Sequence, residues 1–309
     1  MMNPMADDKT SSGLLALVIG ALRAEAPELL PEKAVMPDCA FAVASGSLKR
    51  ELLESAMAAR GPDFILAMGQ GIKQTGFEPL LYVLLQSETP SILFAKWRRF
   101  EQYTHSRHRT ALVSEKATSL TLRRSAQSGP PPAKCENLLI AGLLVALIEE
   151  IGGTDVRLVW GKGGKGAPEV TIHWSGFGDR RRLPRLPRAV GGPRAPLVHY
   201  GVDERSPTAR RVVALIAGDI GRDWPLSELG ARLNLSSRSL QRRLSEENTS
   251  LSAIVRAVRI REACQLLSDS GLTLTEIGYW CGFSDSPHFS REFRRALAMP
   301  PSVYRQSAA

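Results

Sequence analysis

The sequence has little cysteine, and no two cysteines form a Cys-x-x-Cys pair. The four residues, Cys39, Cys135, Cys264 and Cys281, are scattered along the chain. Cys264 and Cys281 fall on predicted buried helical positions, where a thiol behaves as a small apolar side chain. This usage favours a reducing compartment, and we expect a cytoplasmic location.

Long hydrophobic runs are also lacking. The longest apolar run, from Leu138 to Ile148, is too short to span a bilayer. The amino terminus carries Asp7, Asp8 and Glu25 around a short apolar run, without the basic lead-in and small-residue cleavage site of an export signal. We therefore expect no membrane partner and no exported form.

Catalytic signatures are missing as well. The chain contains no Gly-x-Ser-x-Gly elbow, no His-Glu-x-x-His and no dinucleotide-binding fingerprint. The glycine-rich segment 161–169 lacks the Gly-Lys-Ser/Thr of a phosphate-binding loop. His105 and His108 have a spacing that suits a metal, but arginines flank them, so surface or anion-contacting histidines are the favoured interpretation. We expect no enzyme, no metal and no cofactor.

One local pattern is present twice in the last third of the chain, as Leu229–Ser236 and as Ile277–Ser284. Each copy has an apolar residue and a glycine, then a residue that tolerates the left-handed conformation (Asn234 or Gly282), then an apolar anchor and a serine. The small glycine lets the following helix cross close by, and the serine is a candidate N-cap. The pattern predicts two helix-turn-helix units.

A helix is predicted after each serine, with residues four apart on its buried face: Leu240 and Leu244 in the first copy, Phe289 and Phe293 in the second. The opposite face is polar. Arginine suits guanine and glutamine suits adenine in the major groove of DNA. We expect the DNA contacts to come from Ser237, Arg238, Gln241, Arg242, Ser286, Pro287, Ser290 and Arg291.

The segment between the two copies, Leu251 to Ser268, is predicted to be one long helix because neither proline nor glycine interrupts it. At about 1.5 Å per residue its length is roughly 27 Å. That length suits a rod holding two recognition helices near one turn of B-DNA apart, about 34 Å.

These residues carry a family resemblance. The segment IGYWCGFSDSPHFSREFRRALAMPPSVYR resembles the carboxy-terminal signature of the AraC/XylS family of bacterial transcription regulators, and LGARLNLSSRSLQRRL fits the same family. The family usually has alanine where Gly230 and Gly278 stand, and Gly-x-Ser-Pro where residues 298–301 stand. Ala298 should therefore strain a left-handed helix cap slightly. Most of the net charge of +9 lies from residue 179 onward, as a phosphate-binding surface requires.

The amino-terminal part is predicted to be α+β. Its expected elements are helices over 14–30, 47–60, 79–87 and 89–109, with a short apolar segment at 64–68. One or two strands are expected over 110–126, a central apolar helix over 135–153 and a hairpin formed by 156–160 and 170–174. In the helix after residue 89 we expect Ile92, Leu93, Trp97, Phe100 and Tyr103 to point inward and Lys96, Arg98 and Arg99 to point outward.

The expected organisation is an α+β effector-binding and dimerisation domain (1–178), an Arg/Pro-rich linker (179–205) and an all-α DNA-binding domain (206–309) with two helix-turn-helix units joined by a long helix. The resemblance implies a regulator, activator or repressor, that binds double-stranded DNA. Its implied partners are RNA polymerase, a small-molecule effector and a second copy of the chain. Two alternatives remain: a structural DNA-binding protein without ligand control, and an enzyme fused to the domain that transfers alkyl groups through Cys39 or Cys135.

Overall fold

The computed structural model describes residues 9–31, 43–74, 83–85, 87–103, 107–178, 197, 202–203 and 205–308. The chain forms two compact units, Met1–Leu183 and Pro184–Ala309. Throughout the described ranges, every helix is too short or too polar to cross a lipid bilayer. The predicted linker, 179–205, lies almost entirely outside these ranges.

The amino-terminal unit has the expected α+β composition. Its helices are α1 (Ser12–Glu25), α2 (Gly46–Arg60), α3 (Pro62–Gln70), α4 (Pro90–Tyr103) and α5 (Lys134–Glu150), with short 3-10 helices at Pro27–Leu29 and Gly71–Gln74. Its strands are β1 (Lys9–Ser11), β2 (Val43–Ser45), β3 (His108–Lys116), β4 (Ser119–Ala126), β5 (Gly153–Thr154), β6 (Arg157–Trp160), β7 (Glu169–His173) and β8 (Gly176–Phe177). The main sheet is antiparallel in the order β3-β4-β7-β6.

Helix α5 is the central element of this unit, as its apolar sequence predicts. Its residues from Cys135 to Ile148 are all buried. Helix α3 crosses it closely, because a Cβ on Gly69 or Gly142 would overlap the backbone of the other helix. The strands expected over 110–126 and the hairpin around 161–168 are also confirmed. Of the helix expected over 79–87, residues 83–85 are helical, and most of the others lie outside the described ranges.

Helix α4 corrects one prediction about its polar face. Lys96 and Arg99 were expected to point outward but are 1% and 9% exposed, whereas Arg98 is exposed as predicted. The Lys96 Nζ donates a hydrogen bond to the Val83 carbonyl oxygen at 3.0 Å. Long basic side chains can bury their aliphatic stems when the charged end finds a partner, and here that partner comes from a separate segment.

His108 corrects another prediction. It begins β3 and is 3% exposed, so it is not a surface histidine at the end of a helix. Its Nδ1 lies 3.8 Å from the Glu136 carboxylate, which also contacts Lys49 at 3.4 Å and Arg50 at 3.0 Å. Burial lowers the pKa of His108 to about 4. His105 lies outside the described ranges, and the described residues contain no group of three or more His, Cys, Asp or Glu side chains placed to hold a metal ion.

In the described residues of the carboxy-terminal unit, the regular secondary structure consists of α-helices joined by short turns and loops. Its helices are α6 (Pro207–Gly218), α7 (Leu226–Arg232), α8 (Ser237–Glu246), α9 (Leu251–Asp269), α10 (Leu274–Trp280), α11 (Ser286–Leu297) and α12 (Pro301–Ala308). One apolar cluster joins α6, α7, α8 and α9 through Val212, Ile216, Leu229, Leu240, Leu244, Ile254 and Val258. Cys264 and Cys281 are buried, as their helical positions predict.

Candidate nucleic-acid interface

Helices α7 and α8 form the first helix pair. The turn between them contains Asn234 in the left-handed conformation, with φ +56°, as the sequence pattern predicts. The Leu235 N–H donates to the Gly230 carbonyl oxygen at 2.8 Å. A Cβ on Gly230 would lie 2.6 Å from the Leu235 carbonyl oxygen, so the turn sits directly on α7. Ser236 is the N-cap of α8, as predicted: its Oγ accepts a hydrogen bond from the Ser239 N–H at 3.1 Å.

Helices α10 and α11 form the second helix pair, built on the same turn. Gly282 has φ +82°, and the Phe283 N–H donates to the Gly278 carbonyl oxygen at 3.1 Å. The predicted N-cap Ser284 is wrong, because Asp285 occupies that position and accepts a hydrogen bond from the His288 N–H at 2.6 Å. The second copy has one more residue between its turn and its helix, and this residue moves the cap by one position.

The buried faces of α8 and α11 are those that the four-residue spacing predicts. Leu240 and Leu244 are at most 1% exposed on α8, as are Phe289 and Phe293 on α11. The ring of Phe293 also packs against Tyr304 of α12, at 5.5 Å between centroids. Each helix is therefore held along one side, and its opposite side faces outward.

The residues predicted to contact DNA lie on these outward sides, and none is buried. Arg238, Gln241 and Arg242 are exposed on α8, and Pro287 and Arg291 are exposed on α11. Ser237, Ser286 and Ser290 are partly exposed. The Arg242 guanidinium donates to the Glu246 carboxylate one turn later, at 3.0 Å.

Two further arginines extend these surfaces and were not among the predicted contacts. Arg243 on α8 and Arg295 on α11 are both exposed. Each directly follows another exposed arginine, Arg242 or Arg294. A count of neighbouring basic residues in the sequence would have found both.

Known proteins match this part of the chain. A protein-family model described as a helix-turn-helix domain matches residues 229–307, which begin within α7 and include α8 and the whole second helix pair. The transcriptional regulator GadX of Escherichia coli K12 is 29% identical over 99 residues, 32% of this chain and 36% of GadX. The regulator GbdR of Pseudomonas aeruginosa is 27% identical over 173 residues, 52% of this chain and 47% of GbdR. The matched part is thus less than half the length of either relative.

Among solved structures, a transcriptional regulator from Chromobacterium violaceum, described as an AraC-type DNA-binding domain-containing protein, is 27% identical to this chain. The match covers 34% of this chain and 95% of that one, with a TM-score of 0.33. The family-model match and the curated relatives agree with the motifs in the two helix pairs. This part of the chain is therefore similar to the helix-turn-helix domains of AraC-type bacterial transcription regulators.

Proposed function

We propose that the chain is a sequence-specific transcription regulator in which the two helix pairs act as two helix-turn-helix units. Helices α8 and α11 are the recognition helices, and α9 joins the units. One observation carries the proposal: both helices follow a tight left-handed turn, bury one apolar side and expose a side that bears arginine. A recognition helix has this construction because one side must pack while the other reads the major groove.

The exposed side chains suggest separate tasks. Arg238, Gln241 and Arg242 have the donors and acceptors that read guanine and adenine edges. The serines, together with Arg243 and Arg295, suit phosphate contacts, which position the protein without reading sequence. Helix α11 offers Ser286, Pro287 and Ser290 beside Arg291, so we expect it to read fewer bases than α8.

Helix α9 suggests how the two sub-sites are arranged. Its 19 residues give a length of about 28 Å. Two units joined in this way in one chain are translated along the DNA, not related by a two-fold axis. We therefore propose direct sub-sites about one helical turn apart on the same face of the duplex.

The proposed organisation also includes residues 1–178 as an effector-binding and dimerisation domain, 179–205 as a linker and 206–309 as the DNA-binding domain. The amino-terminal unit has its own buried core around α5, which supports an independently folded domain. The proposed partners of the chain are RNA polymerase, a small-molecule effector and a second copy of the chain. Dimerisation would raise occupancy of paired sites through effective concentration.

Binding-site selection with the full chain tests the proposal, followed by affinity measurements on the selected DNA at several salt concentrations. We expect one preferred sequence with two sub-sites, and affinity that falls steeply as salt rises. Inserting about five base pairs, half a helical turn, should abolish specific binding. A structural DNA-binding protein would instead coat DNA without site preference.

The alternative of a fused alkyl-transferring enzyme finds no support at Cys135. This thiol is 4% exposed, and burial raises its pKa to about 11. A reactive cysteine needs an accessible thiolate near neutral pH. Cys39, the other candidate, lies outside the described ranges. Thiol alkylation should therefore leave DNA binding intact.

A further inference from the structure

The loop between α6 and α7, residues 219–225, contacts the turn of the second helix pair. We call it the bracing loop. A Cβ on Gly282 would lie 2.6 Å from the Ile220 carbonyl oxygen and 2.8 Å from the Arg259 Nη2. The loop that precedes the first pair therefore lies directly against the turn inside the second pair, at a point that only a glycine fits.

Arg259 of α9 lies at the same contact. Its side chain is 11% exposed, and its Nη2 donates a hydrogen bond to the Arg222 carbonyl oxygen at 3.1 Å. The same atom lies 3.8 Å from the Asp223 carboxylate. The guanidinium thus joins the long helix, the bracing loop and the Gly282 turn.

The bracing loop is itself fastened to the first helix pair. The Trp224 Nε1 donates to the Asp219 carbonyl oxygen at 3.0 Å, which closes the loop on itself. The Arg222 guanidinium pairs with the Glu228 carboxylate on α7 and lies 4.4 Å from the centre of the Trp224 ring. Arg232 of α7 reaches the same carboxylate at 3.2 Å. The position of α7 therefore determines the position of the bracing loop, and the loop in turn contacts the Gly282 turn.

Helix α9 also packs directly against both helices of the second pair, α10 and α11. Its Arg256 forms an ion pair with Glu292 of α11 at 2.8 Å. The bracing loop adds a contact with the second pair that lies beside α9 and not on it. A contact away from the helix axis opposes rotation of the pair about that axis.

We infer that Arg259 and the bracing loop fix the second helix pair relative to the first, and thereby set the spacing and rotational phase of the two DNA sub-sites. Arg259 acts as a positioning residue, because its guanidinium is largely enclosed and acts through the loop and the Gly282 turn. The inference rests on the proposed function and adds that α9 alone does not determine sub-site spacing.

The experiment starts from the DNA selected by the full chain and varies only the distance between its sub-sites. Adding or removing one base pair turns one sub-site by about 35° and moves it by about 3.4 Å relative to the other. The ratio of the Kd on altered spacing to the Kd on selected spacing is the spacing penalty. We compare the wild-type chain with Arg259→Met, which keeps the aliphatic stem, and with Arg259→Lys, which keeps one donor group.

For the wild-type chain we expect a spacing penalty of about tenfold, which corresponds to about 1.4 kcal/mol and is comparable with the loss of one good base contact. In Arg259→Met the penalty should fall to about threefold or less, and Arg259→Lys should restore most of it. The matched control Arg210→Met removes an exposed arginine of α6. Its penalty should equal that of the wild-type chain.

Trp224→Phe provides a second variant should Arg259→Met fail to fold, as thermal unfolding would reveal. It keeps an aromatic ring but removes the hydrogen bond to Asp219, so it should lower the penalty in the same direction. An unchanged penalty in the folded variants, or an equal loss of affinity on every DNA, would overturn the inference. A selection that returned no preferred sequence would instead overturn the proposed function, and the inference with it.

Discussion

Glu247 joins the start of α6 to the end of α8. It is the C-cap residue of α8, and its carboxylate accepts hydrogen bonds from the N–H groups of Thr208 at 2.9 Å and Ala209 at 2.8 Å. These N–H groups lie in the first turn of α6, where no intrahelical partner exists for them. A negative charge at this end of a helix is further stabilised by the helix dipole. We therefore expect Glu247→Ala to destabilise the carboxy-terminal unit.

The hydrogen bonds determine the expected magnitude. A hydrogen bond to a charged group contributes about 1.5 to 3 kcal/mol, and loss of a helix cap typically costs about 1 kcal/mol. Since water can reach part of this site, we expect Glu247→Ala to lower the free energy of unfolding by about 2 kcal/mol. Glu247→Gln should lower it by about 1 kcal/mol because its amide oxygen still accepts one bond. For a unit of roughly 125 residues, a loss of 2 kcal/mol lowers Tm by about 6 to 8 °C.

The effect should depend on pH in a defined direction. Burial alone would raise the pKa of Glu247, but hydrogen bonds from Thr208 and Ala209, together with Arg243, lower it below its ordinary value of 4.5. A lowered carboxyl pKa means that the stabilisation is complete above the unfolded pKa and is lost as pH falls through the folded one. The difference between wild type and Glu247→Gln should therefore be constant near neutral pH and should shrink below about pH 4.5.

Scanning calorimetry of the full chain tests this prediction. The transition of the carboxy-terminal unit is identified as the one whose Tm rises when specific DNA is added. The matched control is Glu246→Gln, because Glu246 is the preceding residue, is exposed and forms an exposed ion pair with Arg242 on its own helix. It should change stability by less than about 0.5 kcal/mol. Equal Tm values for wild type and Glu247→Ala at neutral pH would refute the reasoning.

Four further predictions concern other sites. Arg242→Ala should cost about 1 to 3 kcal/mol on selected DNA and less on random DNA, as measured by competition binding; an equal loss on both would assign this arginine to phosphate. Binding-site selection should define the sub-site of α8 more sharply than that of α11. Ala298 has φ +58°, so Ala298→Gly should raise the free energy of unfolding by about 1 kcal/mol. Burial alone would raise the pKa of Glu136, but Lys49 and its other partners lower it to about 2. Glu136→Gln should therefore lower the free energy of unfolding by about 3 kcal/mol at neutral pH. Denaturant titrations should show this loss becoming smaller as pH falls from about 4.5 toward 2.

The elements that the sequence predicted well are those with local causes. The left-handed turns at Asn234 and Gly282 follow from residue type, because few other side chains tolerate a positive φ. The left-handed cap at Ala298, with φ +58°, was expected from the family resemblance and not from its residue type. The buried and polar sides of α8 and α11 follow from helical spacing alone. These features are determined by residues that lie within a few positions of one another in the sequence.

The features that the sequence did not predict depend on distant partners. Lys96 has an outward position on a helical wheel, yet it is buried because a carbonyl group from another segment accepts its hydrogen bond. The contact of Glu247 with α6 joins residues 38 and 39 positions apart. Nothing in the local sequence around Arg259 indicates that its guanidinium meets the bracing loop, 37 residues away. Long-range pairing of polar groups is decided by tertiary packing, which spacing rules do not describe.

The two proposed recognition helices, α8 and α11, are firmly held and expose polar surfaces. Each is capped by a side chain at its start, buries two apolar residues and is tied to an element outside its own pair: α8 through Glu247 to α6, and α11 through Glu292 to α9. Support of this kind leaves the backbone little freedom to adapt to different DNA sequences. Differences in sequence preference must then arise mainly from the exposed side chains, whose replacement costs little stability because they bury little surface. The Arg259 guanidinium, which supports the second helix pair, is accordingly enclosed, whereas Arg238 and Gln241 lie in solvent.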